Sequence, residues 1–153
     1  MPDYNVEYSI FLESSRESVK REISKVASRI VSDKGVPQYD FVKAYNSDRF
    51  IVDGFIGDSV RQVVARFPDV CKAEMMTVTN EEEGHNLLFY LPDIDPDFAD
   101  AGGDELERFI TNNTTALWLA TRSEVFAKFY TEQASASMER LVTILRTRKP
   151  VTR

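Results

Sequence analysis

Hydrophobic residues fall at every second position near the start of the chain and at every third or fourth position over most of the remainder. Tyr4, Val6, Tyr8, Ile10 and Leu12 alternate with mostly polar neighbours, the period of a strand with one buried face. Ser14-Ser15-Arg16-Glu17 has the spacing of a capping box. Behind it Val19, Ile23, Val26, Ile30 and Val31 mark one face of a helix that ends at Gly35, before Pro37. Residues 71–79 and 86–92 read as a hairpin, with Met76 and Val78 on one arm and Leu87, Phe89 and Leu91 on the other. Asn80-Glu81-Glu82-Glu83-Gly84 forms its turn, and Pro92 stops the second arm.

Residues 93–103 (DIDPDFADAGG) read as an acidic loop. Asp104 then follows Ala101-Gly102-Gly103, a breaker succeeded by a good N-cap residue. Leu106, Phe109, Ile110, Leu117 and Ala120 recur at helical spacing, and a second helix follows a turn near Thr121-Arg122-Ser123, with Ser123 as its cap. Phe126, Phe129, Tyr130, Met138, Leu141, Ile144 and Leu145 line one broad face of that helix, and Pro150 stops it.

Residues 38–67 admit two readings. In one, Phe41–Tyr45 and Phe50–Ile56 pair around Asn46-Ser47-Asp48 and a short helix runs from Asp58 to Phe67, which gives a ferredoxin-like βαββαβ layout with C-terminal helices. In the other, Ser47 caps one long helix through Phe67. Val52, Phe55, Ile56, Ser59, Val63 and Phe67 fit a single helical face, and the opposite face alternates charge sign. Gly54 and Gly57 each cost such a helix about 1 kcal/mol, which tertiary packing can absorb. The pattern favours the helix. The expected fold is therefore α+β and mainly helical, a single domain over residues 1–150 with an inserted β-hairpin at 71–92, a C-terminal helix pair and a basic tail over 146–153.

A chain of 153 residues buries roughly 70% of its unfolded surface, enough for one core, and 42% hydrophobic content argues against wholesale disorder. The start of the chain has neither the basic region nor the apolar run of a secretory signal, and no apolar stretch approaches the ~20 residues that span a bilayer. Cys71 is the only cysteine, so no intrachain disulfide and no cysteine-based metal site forms. The net charge of −6 is segregated. Residues 73–107 carry eleven acids and no Lys or Arg, whereas residues 140–153 carry Arg140, Arg146, Arg148, Lys149 and Arg153 and no acid. Such segregation favours an oriented electrostatic contact, or a surface that repels something negative.

Gly57-Asp58-Ser59-Val60 has the look of the serine block of GDSL-type hydrolases, but a serine nucleophile needs its base in reach. The only histidine, His85, falls in the hairpin, so Ser59 reads as a polar helix position. Asp93-x-Asp95-x-Asp97 begins like a calcium loop, but Phe98 stands where glycine belongs and Asp104 where glutamate belongs. No residue is assigned to catalysis, to a metal or to a cofactor. Trp118 reads as core or subunit interface, His85 as a surface residue, and Cys71 as a small buried hydrophobe.

The order of features resembles the head-to-tail connector family of tailed bacteriophages, also called adaptor or neck-ring proteins, and is similar to small structural proteins of crAss-like phages. The resemblance is carried by Ile51 through Arg61 leading into Arg66-Phe67-Pro68-Asp69, by the hairpin ending Phe89-Tyr90-Leu91-Pro92, by Ala116-Leu117-Trp118-Leu119-Ala120, and by Phe129-Tyr130 through Leu145-Arg146-Thr147-Arg148-Lys149-Pro150. It covers residues 47–150 and leaves the N-terminal strand outside. It implies a non-enzymatic virion subunit, made in the host cytoplasm, that forms a homo-oligomeric ring in the neck or tail region. Its partners would be the portal and neighbouring ring or tail proteins, with DNA passing through the lumen unbound and no membrane contact. Candidate interface residues on this view are Glu81, Glu82 and Glu83, Trp118, and Arg146, Arg148, Lys149 and Arg153. The rival expectations are a ferredoxin-like ligand-binding or regulatory domain acting as a small oligomer and, on the serine block alone, a hydrolase.

Overall fold

A computed structural model describes residues 4–34, 45–77 and 83–148. The alternation at the start forms strand β1 (Val6–Phe11), and the chain passes without a loop into helix α1 (Leu12–Lys34). Ser14-Ser15-Arg16-Glu17 therefore lies within the first turns of α1 and is not its cap. The reason is Leu12, which is buried as β1 ends and pulls the helix start forward into the core. The expected end of α1 at Gly35 lies outside the described residues.

From Arg49 to Arg66 the contested stretch is one helix, α2, which excludes the strand over Phe50–Ile56 and with it the ferredoxin-like layout; the other expected strand, Phe41–Tyr45, lies outside the described residues except for Tyr45. Val52, Ile56, Ser59, Val60 and Val63 form its buried stripe. The N-cap position is Asp48, not Ser47, and its carboxylate makes no capping bond. It is committed instead to Trp118 and Arg122, so a tertiary contact outweighs the local one. Phe67 closes the helix through its N–H to the carbonyls of Val63 and Val64, ahead of Pro68. Gly54 sits on the exposed side with nothing near a would-be side chain. Gly54→Ala is therefore expected to stabilise the fold by about 1 kcal/mol, read as a raised midpoint in urea unfolding.

The hairpin forms with strands β2 (Cys71–Thr77) and β3 (Glu83–Phe89), so the second arm begins three residues earlier than expected. Val78 and most of the predicted turn lie outside the described residues. β3 is central, and both β1 and β2 pair with it antiparallel, in the order β1-β3-β2. Val6 faces Phe89 and Ile10 faces His85 on one side; Cys71 faces Phe89 and Met75 faces His85 on the other. The inner face carries Ile10, Leu87, Phe89 and Cys71 into the core, with Phe89 meeting Tyr8 and Phe67 edge to face at 5.6 and 5.4 Å. Past the end of β1 the Asn5 side chain extends the ladder, donating to the carbonyl of Leu91 and accepting its N–H, each at 2.7 Å.

Helix α3 runs Pro96–Leu119 and helix α4 Glu124–Arg146. The acidic segment is thus helical from Pro96 onward, and Asp104 is an interior residue rather than a cap. Asp95 is the cap, accepting the N–H of Asp97 at 2.9 Å, with Pro96 at the first helical position. Gly102 and Gly103, which suggest a break, provide a close crossing instead. A Cβ at Gly102 would stand 2.6 Å from Leu145 Cδ2 and 2.8 Å from the Tyr8 hydroxyl. Tyr8 lies over this notch and donates to the carbonyl of Ala99. The expected cap of the last helix holds, with Ser123 Oγ accepting from Phe126 N–H. The α3–α4 hairpin, α1, α2 and the sheet share one hydrophobic core. No helix among the described residues is long and apolar enough to cross a membrane.

Candidate functional site

The sequence places two charged segments at the centre of any function, and the fold distributes them unevenly. Asp97, Asp100, Asp104 and Glu107 recur at intervals of three and four along α3, and all are exposed, so they form one acidic stripe on its outer surface. Those nearest the N-terminus meet the positive end of the helix dipole. Glu105 leaves the block. It is buried, and its Oε1 accepts from Arg108 Nη1 at 2.9 Å and Arg140 Nε at 3.0 Å, joining α3 to α4. Glu74 pairs with Lys72 at 3.0 Å on the outer face of the sheet. Glu83 is exposed at the start of β3, while Glu81 and Glu82 lie outside the described residues.

The basic tail is attached along its described part. Arg146 is exposed in the last turn of α4. Thr147 N–H returns to the carbonyl of Ile144 at 3.2 Å, and Arg148 bridges Ile94 through its backbone while its guanidinium bonds the carbonyl of Leu145. Of the basic tail expected over 146–153, the chain stays on its own domain through Arg148. Lys149 and Arg153 lie outside the described residues.

Trp118, with core and interface both open from sequence, is fully buried. Its Nε1 donates to Asp48 Oδ2 at 2.8 Å, its ring meets Tyr45 edge to face at 5.6 Å, and the Arg122 guanidinium lies 4.1 Å from the ring centroid. Arg122 also reaches Asp48. The turn between α3 and α4 is thereby locked to the N-terminus of α2. The Asp48 end of this lock carries no sequence signal beyond a plain helix-start aspartate.

Ser59 is sealed. It donates to the carbonyl of Phe55 at 2.9 Å, accepts from Asn113 Nδ2 at 2.9 Å and lies 3.3 Å from Thr114 Oγ1. His85 packs on another side of α2, next to Gly57 and Arg61. The helix keeps the two apart, and among the described residues no base is bonded to Ser59. Asp95, in the calcium-like pattern, caps helix α3 through its Oδ1.

A cleft of about 1080 Å³ opens between α1, the start of α2 and β3, rimmed by charges of both signs. Asp53 lies in it, with Oδ1 3.3 Å from Arg16 Nε but without the alignment of a hydrogen bond. Burial raises its pKa, and Arg16 and Arg49 oppose that rise. Nearby His85 is half-buried rather than the expected surface residue; burial, with the charge of Arg61, lowers its pKa below 6.5. The linkage sign is then fixed. The folded chain resists protonation that the unfolded chain accepts, so His85 contributes stability above pH 6.5 that is lost as pH falls through 6.5 toward the folded value. Asp53, shifted upward from 3.8, acts in the opposite sense at lower pH. The melting temperature is expected to drop between about pH 7 and about pH 5.5, and His85→Gln to flatten that slope in thermal scans across the range.

Compared with known protein families, characterised proteins and solved structures, the chain matches none.

Proposed function

We propose that this chain is a structural subunit of a ring in the head-to-tail connector of a tailed bacteriophage, assembled against the portal and neighbouring ring or tail proteins, with DNA passing through its lumen. The observation that carries the reading is the single helix α2 from Arg49 to Arg66, followed by a proline stop, a hairpin and an antiparallel helix pair. The rival ligand-binding reading required a hairpin and a short helix in the same stretch. The buried hydrogen bonds of Ser59 favour a packing role for it over the hydrolase reading. The acidic stripe on α3 suits a lumen, where like charge keeps packaged DNA from adhering. It equally suits docking of a basic segment from a neighbour, through several weak, salt-sensitive pairs repeated around the ring.

Negative-stain imaging of the purified protein, alone and within virions, tests the reading. A monomer or weak oligomer in isolation and a ring in the particle neck are expected. A compact dimer that binds an amino acid or nucleotide with micromolar affinity overturns it. Within particles, removing residues after Arg148 tests the remaining tail as a docking element. Changing Glu81, Glu82 and Glu83 to Lys tests the hairpin end for DNA passage or assembly.

A further inference from the structure

Among the described residues the sheet ends on both sides in a strand with a single partner, and these two edges match each other. Tyr90 N–H donates to the carbonyl of Val70, so even-numbered residues of β2 direct their backbone groups at β3, and Ala73 and Met75 direct theirs outward. By the same alternation β1 turns the backbone groups of Val6, Tyr8 and Ile10 to β3 and those of Glu7 and Ser9 outward. On β2 the outward-bonding residues belong to the inner face, whereas on β1 they belong to the outer face. Antiparallel addition of β1 to β2 would put the inner face of one sheet on the outer side of the next. Parallel addition keeps the apolar faces together, because Ala73 then sits beside Tyr8 and bonds its two neighbours, Glu7 and Ser9. β1 and β2 already run in the same direction, both antiparallel to β3, so a parallel junction repeats the same orientation from copy to copy, as a cyclic assembly requires.

Side chains select the register. With Ala73 beside Tyr8, Lys72 meets Glu7 and Glu74 meets Ser9 on the outer face, and Met75 meets Ile10 on the inner face. A shift of two residues one way sets Glu74 against Glu7; the other way sets Glu74 against Phe11. Met75 points to the inner face, yet 66% of it is exposed, as a strand awaiting a neighbour would be. Glu7 and Ala73 are exposed as well.

We infer that this sheet continues between copies of the chain, β2 of one protomer taking β1 of the next as its parallel neighbour in this register. The inference rests on the ring reading and supplies its subunit junction. A twofold pairing of β2 with β2 about Ala73 also opposes Lys72 and Glu74, but it leaves β1 open and closes at two copies.

Disulfide trapping tests the junction. Within one chain residues 7 and 72 both face Leu88, about 10 Å apart across two strand spacings, too far for a disulfide. Buried Cys71, with its thiol pushed up to about 12, gives the background in unsubstituted protein. Glu7→Cys/Lys72→Cys protein, oxidised at millimolar concentration, is expected to yield a ladder of linked chains. A mixture of the two single variants is expected to yield mixed dimers in excess of either like pair. Ala73→Pro, which removes an N–H only from the open edge, is expected to abolish the ladder with an unchanged circular dichroism spectrum. If that variant unfolds, Lys72→Glu, whose loss of association Glu7→Lys restores, replaces it. Mixed dimers of Lys72→Cys with Glu74→Cys protein, with none of Lys72→Cys with Glu7→Cys protein, point to the twofold pairing and overturn the inference. Rings in virions of the doubly substituted protein, without any disulfide between positions 7 and 72, overturn the junction and leave the connector reading standing; the absence of both rings and links overturns both.

Discussion

Trp118→Ala will lower the stability of the fold by about 4 kcal/mol, near the upper part of the range for deleting a large buried aromatic. At this chain length the melting temperature falls by about 12 °C. Two losses combine. The indole is wholly buried, so its removal leaves a cavity beside Tyr45. Asp48 also loses a donor at 2.8 Å and keeps Arg122 alone. Trp118→Phe separates the two, since it retains most of the ring and loses only the hydrogen bond, at about 1 kcal/mol. Thermal unfolding followed by circular dichroism reads both variants. A phenylalanine variant as unstable as the alanine one would assign the effect to the polar lock, and an alanine variant within about 1 kcal/mol of the parent would refute the packing account.

Gly84→Ala carries the second large effect. A Cβ there would overlap the carbonyl oxygen of Ile10 and stand 3.1 Å from the Phe11 Cα. Both are backbone, at the place where β1 turns into α1, so no side-chain rotation relieves the clash. Relief requires β1 to move off the central strand, at about 3 kcal/mol. Amide exchange should show the loosening first at Ile10 and then at Tyr8, whose N–H groups turn to β3, because the far end of β1 is held by Asn5 on Leu91. Retained protection of those two amides in the variant would contradict this account.

Periodicity made much of the architecture legible. The alternation from Tyr4 to Leu12, the stripe from Val52 to Val63 and the paired C-terminal helices all follow from apolar spacing, which burial enforces whatever the remaining details. Residues with two physical uses were misread. Gly102-Gly103 weakens a helix in isolation, but here the missing side chains admit Tyr8 and Leu145, and the packing gained outweighs the propensity lost. Ser14 and Ser47 have capping chemistry, yet Leu12 and Asp48 set the helix starts through contacts distant in sequence. The charged block was legible as composition only. One-dimensional counting cannot separate Glu105, turned inward to Arg140, from Asp104 and Glu107, turned outward. Trp118 was singled out, but its partners Asp48 and Arg122 come together only through the fold. Ser59, read as a polar helix position, bonds the carbonyl of Phe55 and the side chain of Asn113.

The pairing of β1 with β3 also shapes how the chain reaches this state. Val6 and Phe89, which face each other in the ladder, lie on either side of a loop containing α1, α2 and β2. Closing a loop of that length is entropically costly before any sheet contact repays it, whereas α3 and α4 meet across one short turn. The helical hairpin is therefore the early-forming unit, and β1 docks late. At translation rates of roughly 5–20 residues per second, β1 waits several seconds for β3 to be synthesised. Throughout that interval it is an unpaired, alternating segment with both edges open, which makes it the part of the nascent chain most in need of a holding chaperone.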